Sequence, residues 1–367
     1  MKILYLLDFP PFDEDFDGIT KIYYNLIKHI SKINNLDILI ISGGISNNFI
    51  TYRGTDFQKV NNFFDVKYIY YESIHCSNIK KNINRLKFEY STSLNKNDIK
   101  KLDQKYDFKK YDVIHTAHLS FLNICKVHKK VIIGATDASS LAMPSNTLKE
   151  KLRKFYFQQI EGKISKSSMW VHAVTNRDAE GFHTDRKFII TNGVDTEKYK
   201  KYNEEKIKNS FVFHGNLDYQ PNIDAIIYMN KTINELDLDY KLYIVGRGEA
   251  SRYQQLSHVV IIGEVENIAK EICKYEYYFI LMQTGTGVKN KLLEAMSCEC
   301  NIICNDLAIN GLKKPEVLKD NIHFVNSNDE IKKILLNSNI KNARNYVKEN
   351  YSWESFSDKF MDMYKTI

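Results

Sequence analysis

The sequence predicts an α/β protein of two doubly wound parallel sheets with a cleft between them. Three observations predict it. Apolar runs of strand length alternate with helical segments along the chain. The alternation lapses once, over the charged and polar residues 196–210, and then restarts. The length, 367 residues, is that of two domains. The expected division is residues 1–195, then 196–352, with a C-terminal helix over 353–367 packing back on the first domain.

Residues 2–7 read as a buried strand, because a parallel strand covered on both faces is a continuous apolar run. Residues 19–32 follow at helical period, with Ile22, Leu26, Ile27 and Ile30 on one face. Strands are expected at 36–42, 66–71, 112–115, 131–134 and 170–174. Gly18 stands at the start of the first helix, where a missing Cβ allows a ligand close to the backbone. A plain turn glycine is the alternative. Residues 80–110 are rich in lysine, with Leu86, Phe88, Tyr90 and Leu94 interspersed, and 148–166 reads as a basic amphipathic helix. These tracts suit an anionic membrane surface or an anionic acceptor, or else are solvated helix faces. Thr175 is placed to cap the helix that follows it.

In the second half, strands are expected at 210–214, 240–245, 259–262, 277–282 and 301–305, and helices at 223–235, 269–275 and 353–364. The most informative stretch is Gln283-Thr284-Gly285-Thr286-Gly287-Val288-Lys289-Asn290-Lys291-Leu292-Leu293-Glu294-Ala295-Met296. It runs strand, glycine loop, helix, which aims backbone N–H groups and a helix dipole at the loop and suits a phosphate. Lys291 and Glu294 lie three positions apart on one helix face, a cation for a diphosphate beside a carboxylate for ribose hydroxyls. An ordinary strand–turn–helix corner with an internal ion pair is the alternative.

The composition is 43% hydrophobic and 26% charged, with net charge +7, ordinary for a soluble globular protein and compatible with phosphate-bearing ligands. No run approaches the ~18 apolar residues of a transmembrane helix. The apolar start is too short for a signal peptide. Six scattered cysteines without an export signal fit reduced thiols in the cytoplasm. Cys298-x-Cys300-x3-Cys304 lacks the paired short loops of a zinc site, and Asp237-x-Asp239 reads as a turn. No metal is expected.

Six segments in order carry a resemblance. They are Tyr111-Asp112-Val113-Ile114-His115; Val174-Thr175 through Thr191-Asn192-Gly193-Val194-Asp195; Phe213-His214-Gly215-Asn216-Leu217 with Pro221-Asn222-Ile223-Asp224-Ala225; Leu242-Tyr243-Ile244-Val245-Gly246-Arg247-Gly248; the glycine loop with Leu293-Glu294-Ala295-Met296; and Tyr351-Ser352-Trp353. The chain resembles the GT-B glycosyltransferases, two Rossmann-like domains, and among them the retaining family numbered four. The resemblance implies a UDP- or GDP-sugar donor held by the second domain and a glycan or lipid-linked acceptor held by the first. It implies transfer with retention and no cofactor beyond the donor.

Residue by residue, the resemblance puts Glu294 on the ribose. It puts Gly18, Asn216, Arg247, Val265, Glu266, Gly287, Val288 and Lys289 around the donor. His118 is expected to contact the sugar, with His115 competing for the same match, and Asp137 to face the acceptor. There are departures. Thr286 stands where the family has a first carboxylate. Asn216 and Asn222 stand where it has an arginine and a lysine on the diphosphate. A dianionic leaving group in a dry cleft needs a cation, so Lys291, then Lys289, are the expected replacements. Glu299 replaces a helix-ending glycine, at little cost if it keeps helical torsions.

The expected function is glycosyl transfer in bacterial-type surface polysaccharide synthesis, at the cytoplasmic face of the membrane. A non-catalytic GT-B partner and a transferase acting on modified DNA bases stand beside it, though nucleic acid is the less expected partner.

Overall fold

The computed structural model describes residues 1–9, 11, 18–32, 35–42, 66–74, 77–90, 93–135, 138–143, 147–284, 288–337 and 339–367. The chain divides into two compact units, Met1–Thr191 with Phe356–Ile367, and Asn192–Ser355. The sequence placed the first break after Asp195.

The first unit is a seven-stranded, all-parallel sheet. Its strands are β1 (Lys2–Leu7), β2 (Asn35–Ser42), β3 (Tyr68–Ser73), β4 (Val113–Thr116), β5 (Val131–Ala135), β6 (Trp170–Ala173) and β7 (Lys187–Ile189), in the order β3-β2-β1-β4-β5-β6-β7. The order reverses between β1 and β4. Helix α1 (Gly18–Ile30) packs the expected face, with Ile22, Leu26, Ile27 and Ile30 all buried. Helices α2 (Asn78–Leu86) and α3 (Lys96–Tyr106) carry the basic tract. Helix α4 (Leu148–Ser165) begins with a capping box between Thr147 and Glu150. It does not have the single apolar stripe expected: Ile160 and Ile164 are buried, while Leu148, Leu152 and Phe155 point outward. Thr175 caps the short helix Asn176–Glu180 by accepting from the Asp178 N–H at 3.1 Å.

The C-terminal helix closes the first unit. Tyr364 shares a 2.5 Å hydrogen bond with Tyr5 on β1 and bonds His115 Nδ1 on β4 at 2.8 Å. His115 is fully buried among Tyr5, Tyr23, His172 and Phe360. Burial holds its imidazole neutral, well below the usual histidine range.

The second unit is a six-stranded parallel sheet. Its strands are β8 (Ile207–His214), β9 (Lys241–Val245), β10 (Val259–Gly263), β11 (Tyr275–Ile280), β12 (Ile302–Cys304) and β13 (His323–Phe324), in the order β10-β9-β8-β11-β12-β13. β8 starts inside the stretch expected as linker, because Ile207 pairs with Tyr275 on β11 and its N–H bonds the Lys274 carbonyl at 2.8 Å. The same pairing makes Tyr275 a strand residue, so the helix before it is only Ile268–Ile272. Here too the order reverses once, between β8 and β11. Helix α5 (Gln220–Glu235) follows β8, and α6 (Asn290–Ser297) follows β11. The last helix, α7 (Trp353–Thr366), runs from the second unit into the first.

Glu299 departs from expectation. Its φ is 58°, in the left-handed region and not the helical one. Cys300 N–H bonds the Ala295 carbonyl and Glu299 N–H the Met296 carbonyl, both at 3.1 Å. That double bond pattern is the helix ending in which glycine is usual. The chain therefore keeps the turn without the residue suited to it, and a Cβ there costs about 1 kcal/mol. Glu299→Gly is expected to raise stability by about 0.5–1 kcal/mol, read as a higher urea midpoint at unchanged slope.

Candidate donor site

In doubly wound sheets, ligands bind beyond the carboxyl ends of the strands where the strand order reverses. In the second unit that point lies past His214 at the end of β8 and past the end of β11. Five polar side chains converge there. His214 Nε2 donates to Glu294 Oε2 at 2.7 Å, and His214 Nδ1 accepts from the Tyr278 hydroxyl at 2.9 Å. Lys291 Nζ donates to Asn222 Oδ1 at 2.6 Å. Asn222 Nδ2 in turn donates to the Asn216 carbonyl at 2.7 Å. Helix α6 thus brings its carboxylate to β8 and its ammonium to the start of α5.

The backbone is drawn tight around these groups. Gly246 has φ 146°, and a Cβ there would sit 2.0 Å from the Gly215 carbonyl oxygen. Gly215 has φ 151°, and a Cβ there would press on Asn222 Nδ2 and on Lys291 Cε. Glycine at both positions lets the β8 and β9 loops pass each other under the Lys291 side chain. Thr284, at the start of the glycine loop, donates to Asp224 Oδ2 on α5 at 3.3 Å.

The electrostatics are unusual for lysine. Lys291 lies over the Phe213 ring, 5.3 Å from its centroid. Burial lowers its pKa to about 8, opposed by Glu294 and aided by Lys289. Lys289, 8% exposed, is likewise lowered to about 8 by burial. Two ammonium groups are held at a cost unless an anion joins them.

Of the other expected donor residues, Asn216 is exposed and its Oδ1 accepts from the Asp218 N–H at 2.8 Å. Arg247 follows β9, where its carbonyl accepts from the Leu217 N–H at 2.8 Å. Val265 and Glu266 follow β10, and Val288 precedes Lys289 on the approach to α6. Thr286, Gly287 and Asp137 lie outside the described residues. Gly18, the first residue of α1, and His118 belong to the first unit. His118 stands past β4, with Asp8 past β1, at that sheet's own reversal point. Its Nδ1 is 3.4 Å from Asp8 Oδ2, and its ring meets Tyr90 edge-on at 4.6 Å. His115, the competing match, is committed to the core.

Sequence reading missed His214 as the partner of Glu294, and Tyr278 as the partner of His214. The signal was available, since His214 is a polar residue ending an apolar strand immediately before a glycine.

Solved structures match this architecture along its whole length. Anabaena Alr3699/HepE in complex with UDP is 11% identical over 100% of both chains, with a TM-score of 0.68. Sucrose-phosphate synthase from Thermosynechococcus elongatus is 12% identical over 100% of this chain and 99% of that one, with a TM-score of 0.69. The lipopolysaccharide outer core galactosyltransferase WaaB in its apo form is 12% identical over 99% of each, with a TM-score of 0.60. The fold is GT-B. Within this GT-B chain, residues 208–336 match the family described as Glycosyl transferases group 1, and they contain His214, Asn222, Tyr278, Lys291 and Glu294. No curated protein matches the chain.

Proposed function

We propose that this protein is a retaining glycosyltransferase that moves a sugar from a UDP- or GDP-sugar to a glycan or lipid-linked acceptor in surface polysaccharide synthesis. The observation that carries the reading is the Lys291–Asn222–Asn216 chain at the reversal point of the second sheet. It holds a desolvated cation at that point, which supports a diphosphate donor as its ligand. The match of residues 208–336 to a glycosyltransferase family supports the donor class, and the likeness to a UDP-bound structure and to WaaB supports nucleotide and pathway.

In this reading Lys291 neutralises the departing diphosphate, with Lys289 beside it. The first amides of α6, which have no partner within the helix, point the same way. Charge development on the leaving group is then met by groups already in place, the largest single source of catalysis in such reactions. Glu294, oriented by His214, holds the ribose hydroxyls. Thr286 and the loop amides at Gly287 and Val288 are assigned to the sugar, as is His118 from the first unit. The diphosphate oxygen takes the proton of the attacking acceptor hydroxyl, so no side-chain base is required. Nor is a metal, the lysines supplying the positive charge.

A thermal-shift panel of UDP-, GDP-, ADP- and CMP-sugars tests the donor. A cognate ligand at a hundred times its Kd stabilises by about 2.7 kcal/mol. With that donor, kcat/KM is expected to fall above about pH 8 as Lys289 and Lys291 lose their protons. The limb should be absent from kcat, since bound diphosphate keeps both lysines charged. If no nucleotide sugar shifts the melting curve, the donor assignment fails and the non-catalytic reading takes its place.

A further inference from the structure

Helices α2 and α4 of the first unit turn apolar side chains to solvent at helical spacing. On α2 these are Ile79, Ile83 and Leu86; on α4 they are Leu148, Leu152 and Phe155. Ile79 is 75% exposed, Leu86 82%, Leu148 75% and Leu152 62%. The segment just past α2 meets α4. Phe88, just past α2, packs edge-on against Phe155 at 5.9 Å, and the Tyr156 hydroxyl donates to the Glu89 carbonyl. Single exposed leucines are ordinary, whereas two stripes of the same i, i+4, i+7 spacing, on helices linked through Phe88 and Phe155, mark an interaction surface.

The charge on these helices is mostly basic. Helix α2 carries Lys81 and Arg85, beside Lys80 whose ammonium is paired with Asp98 on α3, and no acidic residue. Helix α4 sets Lys149, Lys151, Arg153 and Lys154 between its outward leucines. Its two carboxylates are already engaged. Glu150 accepts from the Thr147 N–H at 2.9 Å in the capping box, and Glu161 is buried and accepts from the Ser140 N–H at 3.0 Å.

We propose that this surface docks on an anionic lipid bilayer, seating the six apolar side chains at the boundary of headgroups and acyl chains and the surrounding lysines and arginines among lipid phosphates. Chemistry favours the bilayer over other occupants. The cores of protein interfaces are depleted of lysine. A second copy meeting the same face would set these cations against one another. A bilayer of anionic lipid welcomes both the apolar stripes and the charge. Among the described residues no helix is long and apolar enough to cross a membrane, so contact here is with one leaflet. The inference deepens the acceptor half of the proposed function and is measured without any sugar transfer.

Co-sedimentation of the full chain with vesicles tests it. Strong partition is expected on phosphatidylcholine vesicles containing about a third phosphatidylglycerol, little on phosphatidylcholine alone, and less on either in high salt. The double variant Leu148→Glu, Leu152→Glu should lower partition at least tenfold, and Lys151→Glu with Arg153→Glu should do the same. Both variants should keep the wild-type melting temperature, because these side chains lie outside the core. Wild-type protein left in the supernatant with anionic vesicles would overturn the inference. So would variants that sediment like wild type, or variants that change only the oligomeric mass in analytical ultracentrifugation.

Discussion

Lys291→Met is expected to stabilise the protein and, in the same substitution, to weaken donor binding on the order of a hundredfold. The two effects share one cause. Burial lowers the Lys291 pKa to about 8, so its charged form is less favourable folded than unfolded. A buried charge replaced by an apolar side chain of similar volume is often stabilising by roughly 1–4 kcal/mol, and about 1–2 is expected here because Asn222 Oδ1 loses its 2.6 Å partner. Methionine can take the place of the ammonium against Phe213. The sign is open to a second check. Folded Lys291 titrates near 8 and unfolded lysine near 10.5, so between those values the unfolded chain holds more protons. Wild-type stability therefore gains from this group as pH rises from about 8 to 10, and the variant lacks that gain. For binding, a charge-assisted contact to phosphate contributes roughly 2–3 kcal/mol, the hundredfold stated. Calorimetry with UDP and with uridine separates the outcomes: UDP affinity should drop and uridine affinity should not. Equal UDP affinity in the two proteins would remove Lys291 from the diphosphate.

The second large effect is expected at His214. His214→Ala removes the imidazole that joins the Glu294 carboxylate to the Tyr278 hydroxyl in a buried site; Glu294 is only 5% exposed. Breaking such a buried pair costs about 3 kcal/mol. The Glu294 carboxylate would also lose its orientation, so ribose recognition should suffer with it. His214→Gln, which restores a donor toward Glu294, should recover part of both losses. Tyr278→Phe serves as the control. It removes one hydrogen bond, costs about 1 kcal/mol, and should leave nucleotide affinity nearly intact. Urea midpoints and UDP affinities across the three variants decide the matter. A His214→Ala protein of undiminished UDP affinity would make the His214–Glu294 pair purely structural.

Both sheets were legible in the sequence because parallel strands buried on both faces leave continuous apolar runs, and β1, β5 and β11 are of that kind. Strand ends were less legible. Ile207 and Tyr275 pair across a distance in sequence that local pattern does not register, so β8 and β11 each begin earlier than expected. The lysine on α6 was legible because helical spacing and a glycine loop are local. Its partner Asn222 appeared in the sequence only as a missing charge. The structure shows that asparagine receiving the ammonium from another helix, a relation made by the fold alone. The double-sided character of α4 escaped for a related reason. Ile160 and Leu152 look alike in a sequence, and only packing decides which of them is covered. Glu299 shows the opposite case, a turn kept by its hydrogen bonds although the residue there is poorly suited to it.

The joining of Tyr364 to Tyr5 and His115 has a consequence for how the protein is made. The second unit is one uninterrupted stretch, whereas the first needs residues from both ends of the chain. During synthesis the first unit is translated early, yet its buried β1–β4 seam lacks its aromatic cover until α7 has been made. The second unit is the one able to complete its core while the chain is still being extended. A stop codon that removes α7 would therefore fall hardest on the part of the protein that was synthesised first.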